Sequence, residues 1–340
     1  MNIQELFALK PVAAKNFPKA TRLGAPCPTL LYGVELEIER VDDHESWVVP
    51  GITSTEDGSL RNRGREFITK PMTFSNLAYC LGLFFTKNPI NSDNYSDRTS
   101  IHVHTNCQDL TIEQLQTITL LYQVFERVFY AWIGNEREDN IFCVPWHQTN
   151  LTYSLLEDPN SINKFKNWQK YTGLNLLPLF TQGTIEWRHM HGHCNLDKIL
   201  DWCAIIGYVY RYALINTLNE VKKDLTQLNT SSMYEDMMAR VFENRVHLLA
   251  VPGYKQLLEE GVLNMKYSLI SEKKKSPFKM TLDSALYRRI DEYLAEPVEH
   301  NEQLIRPAVR RTIPTVEQWF ISEDEPVQEE PQIGRASCRE

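Results

Sequence analysis

The sequence has no long hydrophobic run, no excess of positive charge and no closely spaced pair of cysteines. Its apolar stretches are soon interrupted, Trp202 to Tyr210 by Arg211 and the stretch from Leu120 by Gln123, whereas a membrane span needs about 20 apolar residues. Lys and Arg number 36 against 44 Asp and Glu, giving a formal net charge of −8. A surface with this balance does not attract nucleic acid or anionic lipid. We therefore expect neither a nucleic-acid partner nor a membrane partner.

Two further absences concern the cellular compartment. The first residues, with Glu5 close to Met1, lack the apolar segment of a secretory signal. The seven cysteines include no Cys-x-x-Cys pair, which argues against a thiolate zinc site and predicts reduced, mostly buried thiols. These features predict a cytoplasmic protein, in the host cytoplasm if the protein is viral.

Two common catalytic signatures are missing as well. The sequence has no Gly-x-Ser-x-Gly motif, the signature of one large group of serine hydrolases. It also has no Gly-x-x-x-x-Gly-Lys-Ser/Thr loop, which excludes the P-loop mode of binding ATP. Any nucleotide chemistry must therefore use another kind of site.

Composition along the chain predicts four parts. Residues 1–28 are rich in turn formers and predict an arm, and residues 29–221 predict the principal domain. Residues 222–320 predict a mainly helical part packed on that domain, and the acidic residues 321–340 predict a disordered tail. The last eight, 333–340, look like the translation of a sequencing adapter and are excluded from the fold prediction.

Local patterns predict a mixture of strands and helices in the α+β class. Alternation of apolar and polar residues predicts strands, and apolar residues spaced three and four apart predict helices. A capping box at Thr111–Gln114 predicts the start of a helix that ends near Ile133. The other predicted elements are a strand at 30–40, a hairpin with its turn at 56–59, a strand at 65–69, a helix at 73–85, strands at 100–105 and within 174–190, a helix at 196–221, and further helices up to 294, broken at Ser231 and Pro252.

The first strand carries a row of acids. Side chains on a strand alternate between faces, so one face presents three glutamates, Glu35, Glu37 and Glu39. Neighbours in such a row lie about 7 Å apart, and at an effective dielectric of about 20 each ionised pair repels by about 2 kcal/mol. The row therefore calls for a nearby cation. A solvated outer face of an edge strand is the alternative, because water screens the repulsion there.

Two later strands repeat this pattern. His102 and His104 share one strand face, and Glu186 and Arg188 share another. Taken singly, each pair also fits an ordinary surface, as partly exposed histidines or as a surface ion pair. Glu66 adds an acid at a strand end. If these strands are neighbours in one sheet, the shared face presents the oxygen-rich ligand set that suits Mg²⁺ or Mn²⁺ better than structural zinc.

Other polar residues have weaker claims to a functional role. Asp57 lies in an Asp-Gly-Ser turn, where aspartate is commonly a turn former. Three alternating histidines follow Arg188 and are interpreted as surface-loop residues in preference to a second metal site: His189, His191 and His193.

The order of these motifs resembles the amidoligase branch of the carboxylate-amine ligases, in the glutamine synthetase and glutamate-cysteine ligase superfamily. The resemblance runs from about residue 30 to residue 210. The chain departs from the family at Thr99-Ser100, where small residues such as Cys-Gly often precede the His-x-His strand, and nothing after Leu218 matches clearly. The matching motifs are Gly33-Val-Glu35-Leu-Glu37, Asp57-Gly-Ser-Leu60, Glu66-Phe, His102-Val-His104, Tyr171 with Asn175, and Glu186-Trp-Arg188 followed by Asn195 and Trp202.

The resemblance implies a fold, an activity and a set of site residues. The fold would be an antiparallel sheet cupping the active site, with helices on its outer side. His104 would contact the nucleotide phosphates and take part in catalysis with Glu37, Arg188 would clamp the phosphate or acyl phosphate, and Asp57 would contact the nucleotide or substrate. The implied divalent-metal ligands are Glu35, Glu37, Glu66, His102 and Glu186.

The implied activity is that of an ATP-dependent carbon–nitrogen ligase. ATP, with Mg²⁺ or Mn²⁺, would activate a carboxylate as an acyl phosphate, and an amine would then attack it to form an amide. The carboxylate could belong to an amino acid, a peptide or a protein, and the sequence leaves both substrates and the oligomeric state open. Two alternatives remain: a metal-dependent hydrolase that activates water, and a non-catalytic binding or structural protein, of viral origin, with a ligase-like shell.

Overall fold

A six-stranded antiparallel sheet forms the centre of the computed structural model. The model describes residues 1–134 and 170–271, together with 137, 138, 140, 143–146, 162, 163 and 166. All of these belong to one unit, Met1–Leu286. The strands are β1 (Tyr32–Ile38), β2 (Ile52–Thr55), β3 (Arg65–Thr69), β4 (Ser100–Asn106), β5 (Leu174–Asn175) and β6 (Thr184–His191), in the order β2-β3-β1-β4-β6-β5. The mixture of this sheet with helices confirms the α+β class.

Helices account for most of the rest of the described chain. They are α1 (Ile3–Phe7), α2 (His44–Trp47), α3 (Phe74–Lys87), α4 (Ile112–Ile133), α5 (Leu196–Ile215), α6 (Leu218–Gln227), α7 (Ser231–Phe242), α8 (Val246–Leu249) and α9 (Tyr254–Ser271). The predicted hairpin is β2 with β3, which pair antiparallel. The predicted capping box is also confirmed, since the Thr111 hydroxyl accepts from Gln114 N and the Gln114 side chain accepts from Thr111 N.

Two details of local structure were not predicted. Residues 1–28, predicted as an arm, include α1, which has its own capping box between Asn2 and Glu5 and buries Ile3 completely. The predicted helix at 196–221 is two helices. It is interrupted because Thr217 caps a new helix with Glu220, although the apolar spacing continues through the break.

The apolar face of the sheet packs against α3, α4 and α5. Val34, Leu36 and Val103 point into this layer and are at most 2% exposed. Trp187 lies among the rings of Phe129 and Trp202, with centroid distances of 6.4 and 5.9 Å. Every second residue of the central strands is therefore committed to the hydrophobic core.

The helices that follow residue 221 add an outer layer over α4 and α5 and join the same core. Helix α9 approaches α4 so closely that a Cβ on Gly261 would lie 2.1 Å from the carbonyl oxygen of Val124. An ion pair between Arg127 and Glu260 joins the same two helices. Only glycine fits at position 261 without displacing one helix.

The described part of the chain includes no helix with both the length and the apolar character needed to cross a bilayer. The six cysteines that the structure describes are free, and all except Cys194 are buried, as predicted for reduced thiols. The predicted tail at 321–340 lies outside the described residues.

Candidate metal centre

The strand register gathers the polar motifs on one face of the sheet. Glu35 lies opposite His102, and Glu37 lies opposite Glu66. His104 lies opposite Glu186 on the other side of β4. Directly opposed residues in antiparallel strands place their side chains on the same face. Because β1 lies between β3 and β4, the edge-strand interpretation of its acids was wrong.

A bulge adjusts the face of β6. Ile101 pairs with Met190 and Val103 pairs with Trp187, so β6 has one residue more than β4 between these pairs. Trp187 and Met190 both reach the core, although regular alternation would place them on opposite faces. Between them, Arg188 lies on the polar face with Glu186, as its NH1 contact with that carboxylate shows.

His102 lies at the centre of the cluster and is only 3% exposed. Its Nδ1 atom lies 3.3 Å from Glu35 Oε2 and 3.2 Å from Glu186 Oε1. The same atom lies 3.9 Å from Glu37 Oε1. One ring nitrogen therefore faces oxygens of three carboxylates that come from two other strands.

His104 and Arg188 supply positive or hydrogen-bonding groups beside these acids. His104 Nε2 lies 3.0 Å from Glu35 Oε1, and the Arg188 guanidinium contacts Glu186. Arg188 is 8% exposed and Glu186 is 4% exposed, so water screens this pair weakly. The two residues assigned to phosphate contact by resemblance therefore lie beside the predicted metal ligands.

Hydrogen bonds from neighbouring residues fix the orientation of the cluster. Ser100 donates to Glu37 Oε2 from its backbone N (2.7 Å) and from its hydroxyl (2.6 Å). Asn175 Nδ2 donates to Glu186 Oε2 at 2.6 Å. Thr184 Oγ1 lies 3.1 Å from His104 Nδ1. The sequence-based prediction assigned no role to Ser100 or Thr184, although each stands two residues before a predicted site residue and so shares its face.

Burial and crowding shift the pKa values of the glutamates in opposite directions. Burial, together with the nearby charges of Glu35 and Glu37, raises the pKa of Glu66 to about 9. Burial alone would also raise the pKa of Glu35, but hydrogen bonds from His102 and His104 outweigh it and hold that pKa well below its ordinary value. The added negative charge of Glu66 is therefore disfavoured in the cluster as it stands.

Glu186 and His104 follow the same logic. Burial would raise the pKa of Glu186, but the charges of Arg188, His102 and His104 together outweigh it and lower the pKa. Burial would lower the pKa of His104, but its hydrogen bond with Glu35 and the charge of that carboxylate raise it. Positive partners thus keep Glu35 and Glu186 ionised.

Two groups of side chains within the described residues have ligand atoms close enough to share an ion. One is Glu35, His102 and Glu186, and the other is Glu37, Glu66 and His102; within each group the ligand atoms lie within 4.8 Å of one another. All five predicted metal ligands therefore belong to one or both groups. Carboxylate oxygens with one imidazole nitrogen fit Mg²⁺ or Mn²⁺.

Two acidic residues singled out from the sequence lie outside these groups. Glu39 follows the end of β1, and its carboxylate accepts from Arg61 N at 2.9 Å and from Asn62 Nδ2 at 3.1 Å. Asp57 Oδ1 accepts from Ser59 N at 2.7 Å, the contact of a turn former. Glu39 thus fixes the loop that contains Arg61 and Asn62, and Asp57 acts as a turn former in the structure.

The surface-loop interpretation was wrong for His189, which lies in β6 and is completely buried. Its Nε2 lies 2.9 Å from the Tyr122 hydroxyl on the apolar side of the sheet. Burial and the charge of Arg137 lower its pKa to about 3. His191 and His193 are half-buried. The error came from assigning these residues to a loop, since β6 continues to His191 and His189 shares the face of Ile185 and Trp187.

Comparison with known proteins adds no relative. No protein-family model matches the chain, and no curated protein matches it. The likeness to amidoligases therefore rests on the sequence motifs alone.

Proposed function

We propose that the cluster on the polar face binds divalent cations, Mg²⁺ or Mn²⁺. The observation that carries this proposal is the position of His102 Nδ1, within 3.9 Å of oxygens from three glutamates. Carboxylates gathered around one ring nitrogen repel one another unless positive charge lies between them. The raised pKa of Glu66 has the same origin, a shortage of positive charge.

The ligand set limits how ions can be arranged. Both candidate groups include His102, and its other ring nitrogen, Nε2, lies 2.7 Å from the Ser100 hydroxyl. One ring nitrogen is therefore free for coordination, so His102 can ligate one ion at a time. A second ion would be held by carboxylates and water, as Mg²⁺ commonly is.

On this cation site we propose an ATP-dependent carbon–nitrogen ligase. ATP bound with the cations would supply the γ-phosphoryl group that activates a substrate carboxylate, and an amine would then displace phosphate from the acyl carbon to form an amide. The substrate carboxylate belongs to an amino acid, a peptide or a protein. The proposal draws on the order of the amidoligase-like motifs and on their convergence on one face of the sheet.

The chain's own charges fit this chemistry. Burial would lower the pKa of Arg188, but the charges of Glu186 and of other nearby acidic groups, with the hydrogen bond to Glu186, together raise it, so Arg188 stays charged. A fixed guanidinium beside bound cations stabilises the charge that develops on a transferring phosphoryl group. His104, next to Glu186 in the register, would donate to a phosphate oxygen.

The test is divalent-dependent formation of ADP by the purified full chain. ATP and Mg²⁺ are supplied with a panel of amino acids and peptides as carboxylates, and with ammonia and amino acids as amines. We expect Glu37→Gln and Glu186→Gln to abolish ADP formation, because each removes a ligand charge. Glu45→Gln is the matched control, since Glu45 is exposed in α2, and it should leave the rate unchanged.

Three outcomes would contradict the ligase proposal. Full activity in Glu37→Gln or Glu186→Gln would exclude the cluster as the active site. Tight Zn²⁺ binding without nucleotide binding in calorimetry would favour the metal-dependent hydrolase. Absence of both cation and nucleotide binding would favour the non-catalytic protein with a ligase-like shell.

A further inference from the structure

Ser100, to which the sequence-based prediction assigned no role, makes hydrogen bonds with two residues of the cluster. It is the first residue of β4, two positions before His102, and it is 5% exposed. Its hydroxyl lies 2.6 Å from Glu37 Oε2 and 2.7 Å from His102 Nε2. The hydroxyl therefore joins one residue from each of two neighbouring strands.

The protons in this arrangement can be placed from valence alone. A hydroxyl has one proton to donate, and an ionised carboxylate only accepts. The Ser100 proton therefore goes to Glu37, which also accepts from Ser100 N. The remaining interaction of the hydroxyl is to accept a proton from His102, so Nε2 of His102 carries a proton, and in the neutral ring Nδ1 presents its lone pair to the carboxylates.

We infer that Ser100 is a positioning residue, which presets the cation site by fixing the protonated nitrogen of His102 and the orientation of the Glu37 carboxylate. This inference rests on the cation-binding part of the proposed function. It concerns a position where the chain departs from the pattern that it otherwise resembles. Partners of this kind typically contribute 10- to 100-fold to metal affinity.

Thr184 and His104 form a related contact in which the two ring nitrogens exchange roles. Thr184 Oγ1 contacts Nδ1 of His104, which leaves Nε2 of that ring to face Glu35 at 3.0 Å. His102 thus presents Nδ1 to the acids and His104 presents Nε2. In each case a hydroxyl from the same sheet face holds the nitrogen that points away from the acids.

The test measures Mn²⁺ binding to the full chain, with Mn²⁺ alone as the probe and EPR as the readout of free ion. Ser100→Ala should weaken binding about 10- to 100-fold, and Ser100→Thr, which keeps the hydroxyl, should restore most of it. Ser54→Ala is the matched control, because Ser54 is a strand serine of the same sheet whose hydroxyl has no partner among the described residues. It should bind as the wild type does.

A second readout measures coordination by the His102 ring rather than affinity. Pulsed EPR of bound Mn²⁺ should show coupling to an imidazole nitrogen in the wild type and Ser100→Thr, and a weaker coupling in Ser100→Ala. A merely structural role would change thermal stability but not this coupling. Equal Mn²⁺ affinity and equal nitrogen coupling in Ser100→Ala and the wild type would overturn the inference.

A measurement on the wild type keeps the inference testable if Ser100→Ala fails to fold. In ¹⁵N-histidine-labelled, metal-free protein, with His102 assigned through His102→Gln, Nε2 should carry a slowly exchanging proton. A proton on Nδ1 alone would contradict the assignment. If the wild type binds no Mn²⁺, the proposed function fails, while the ring-proton measurement still decides the role of Ser100.

Discussion

The two faces of the central sheet use the same strands for opposite purposes. On β1, Glu35 reaches the polar cluster while the next residue, Leu36, lies in the core and is 2% exposed. Histidines show the same contrast: His104 has a raised pKa beside Glu35, whereas His189 has a pKa lowered to about 3 in its apolar surroundings. Which face a side chain reaches, rather than its type, therefore decides its chemistry.

The difference also separates stability from function. Burial of apolar side chains supplies the main favourable contribution to folding, and the helices cover that face of the sheet. Clustered carboxylates cost free energy unless cations offset them. We therefore expect substitutions on the apolar face to change stability and substitutions on the polar face to change cation binding.

The largest expected effect is that of Trp187→Ala on the apolar face. Removing a fully buried tryptophan costs about 3–5 kcal/mol in the free energy of unfolding, and chemical denaturation measures it. Trp132→Ala should cost less, because Trp132 is only partly buried. Equal losses in the two variants would break the contrast between core and periphery.

Glu66→Gln tests the polar face with the opposite expectation. Because the pKa of Glu66 is raised to about 9, its carboxyl is protonated at neutral pH without metal, and a neutral amide replaces it at little cost in stability. Mn²⁺ affinity should fall by about 100-fold, at the upper end of the effects known around metal sites. Calorimetry measures the affinity, and Glu56→Gln, on the exposed hairpin, is the control. A large loss of stability with unchanged affinity would refute the division between faces.

Acid should lower the free energy of unfolding through His189, the buried histidine of the apolar face. The folded-state pKa of His189 is lowered to about 3, so below about pH 6.5 the unfolded chain takes up a proton that the native protein refuses. The stability that neutral His189 permits is present above that pH and is lost as pH falls, by up to about 1.4 kcal/mol per pH unit. Unfolding of the wild type and His189→Gln, measured from pH 8 to pH 5, should show a difference that changes as pH falls. A constant difference would contradict the burial effect.

The smallest expected effect is that of Asp57→Asn, beyond the edge of the cluster. Asparagine can keep the contact from Ser59 N, and only a distant, partly screened charge is lost, so Mn²⁺ affinity should change by less than about threefold. A much larger loss, in Mn²⁺ affinity or in the rate of ADP formation, would extend the functional face to this turn and support the nucleotide or substrate role.

Local pattern was enough to predict most of the strands and the side chains that share a face. Alternation depends on neighbours in sequence, and so does the capping box of Thr111. The order of the strands was less accessible, because Glu37 and Ser100 are 63 residues apart and meet only through the folded sheet. The alternative that placed β1 at the edge of the sheet was wrong for this reason, since β1 lies between β3 and β4.

The sequence predicted the residues of the candidate site more completely than the residues that surround them. Charge and alternation singled out the site residues, the resemblance implied that five of them are metal ligands, and the sheet brings those five side chains together. Ser100 and Thr184 were missed because a hydroxyl on a strand has no charge to mark it. His189 was misplaced because it was assigned to a loop, whereas β6 continues to His191 and His189 alternates onto the face of Trp187.

The extra residue in β6 decides which of the side chains beyond it face the acids and which face the core. Before the bulge, even-numbered residues such as Glu186 lie on the charged face of the strand. After the bulge, the even-numbered Met190 lies on the apolar face. If the same sequence ran through β6 without the bulge, uniform alternation would turn Met190 towards the acids and His191 towards the hydrocarbon layer. The facing of the strand after Arg188 therefore depends on this one irregularity.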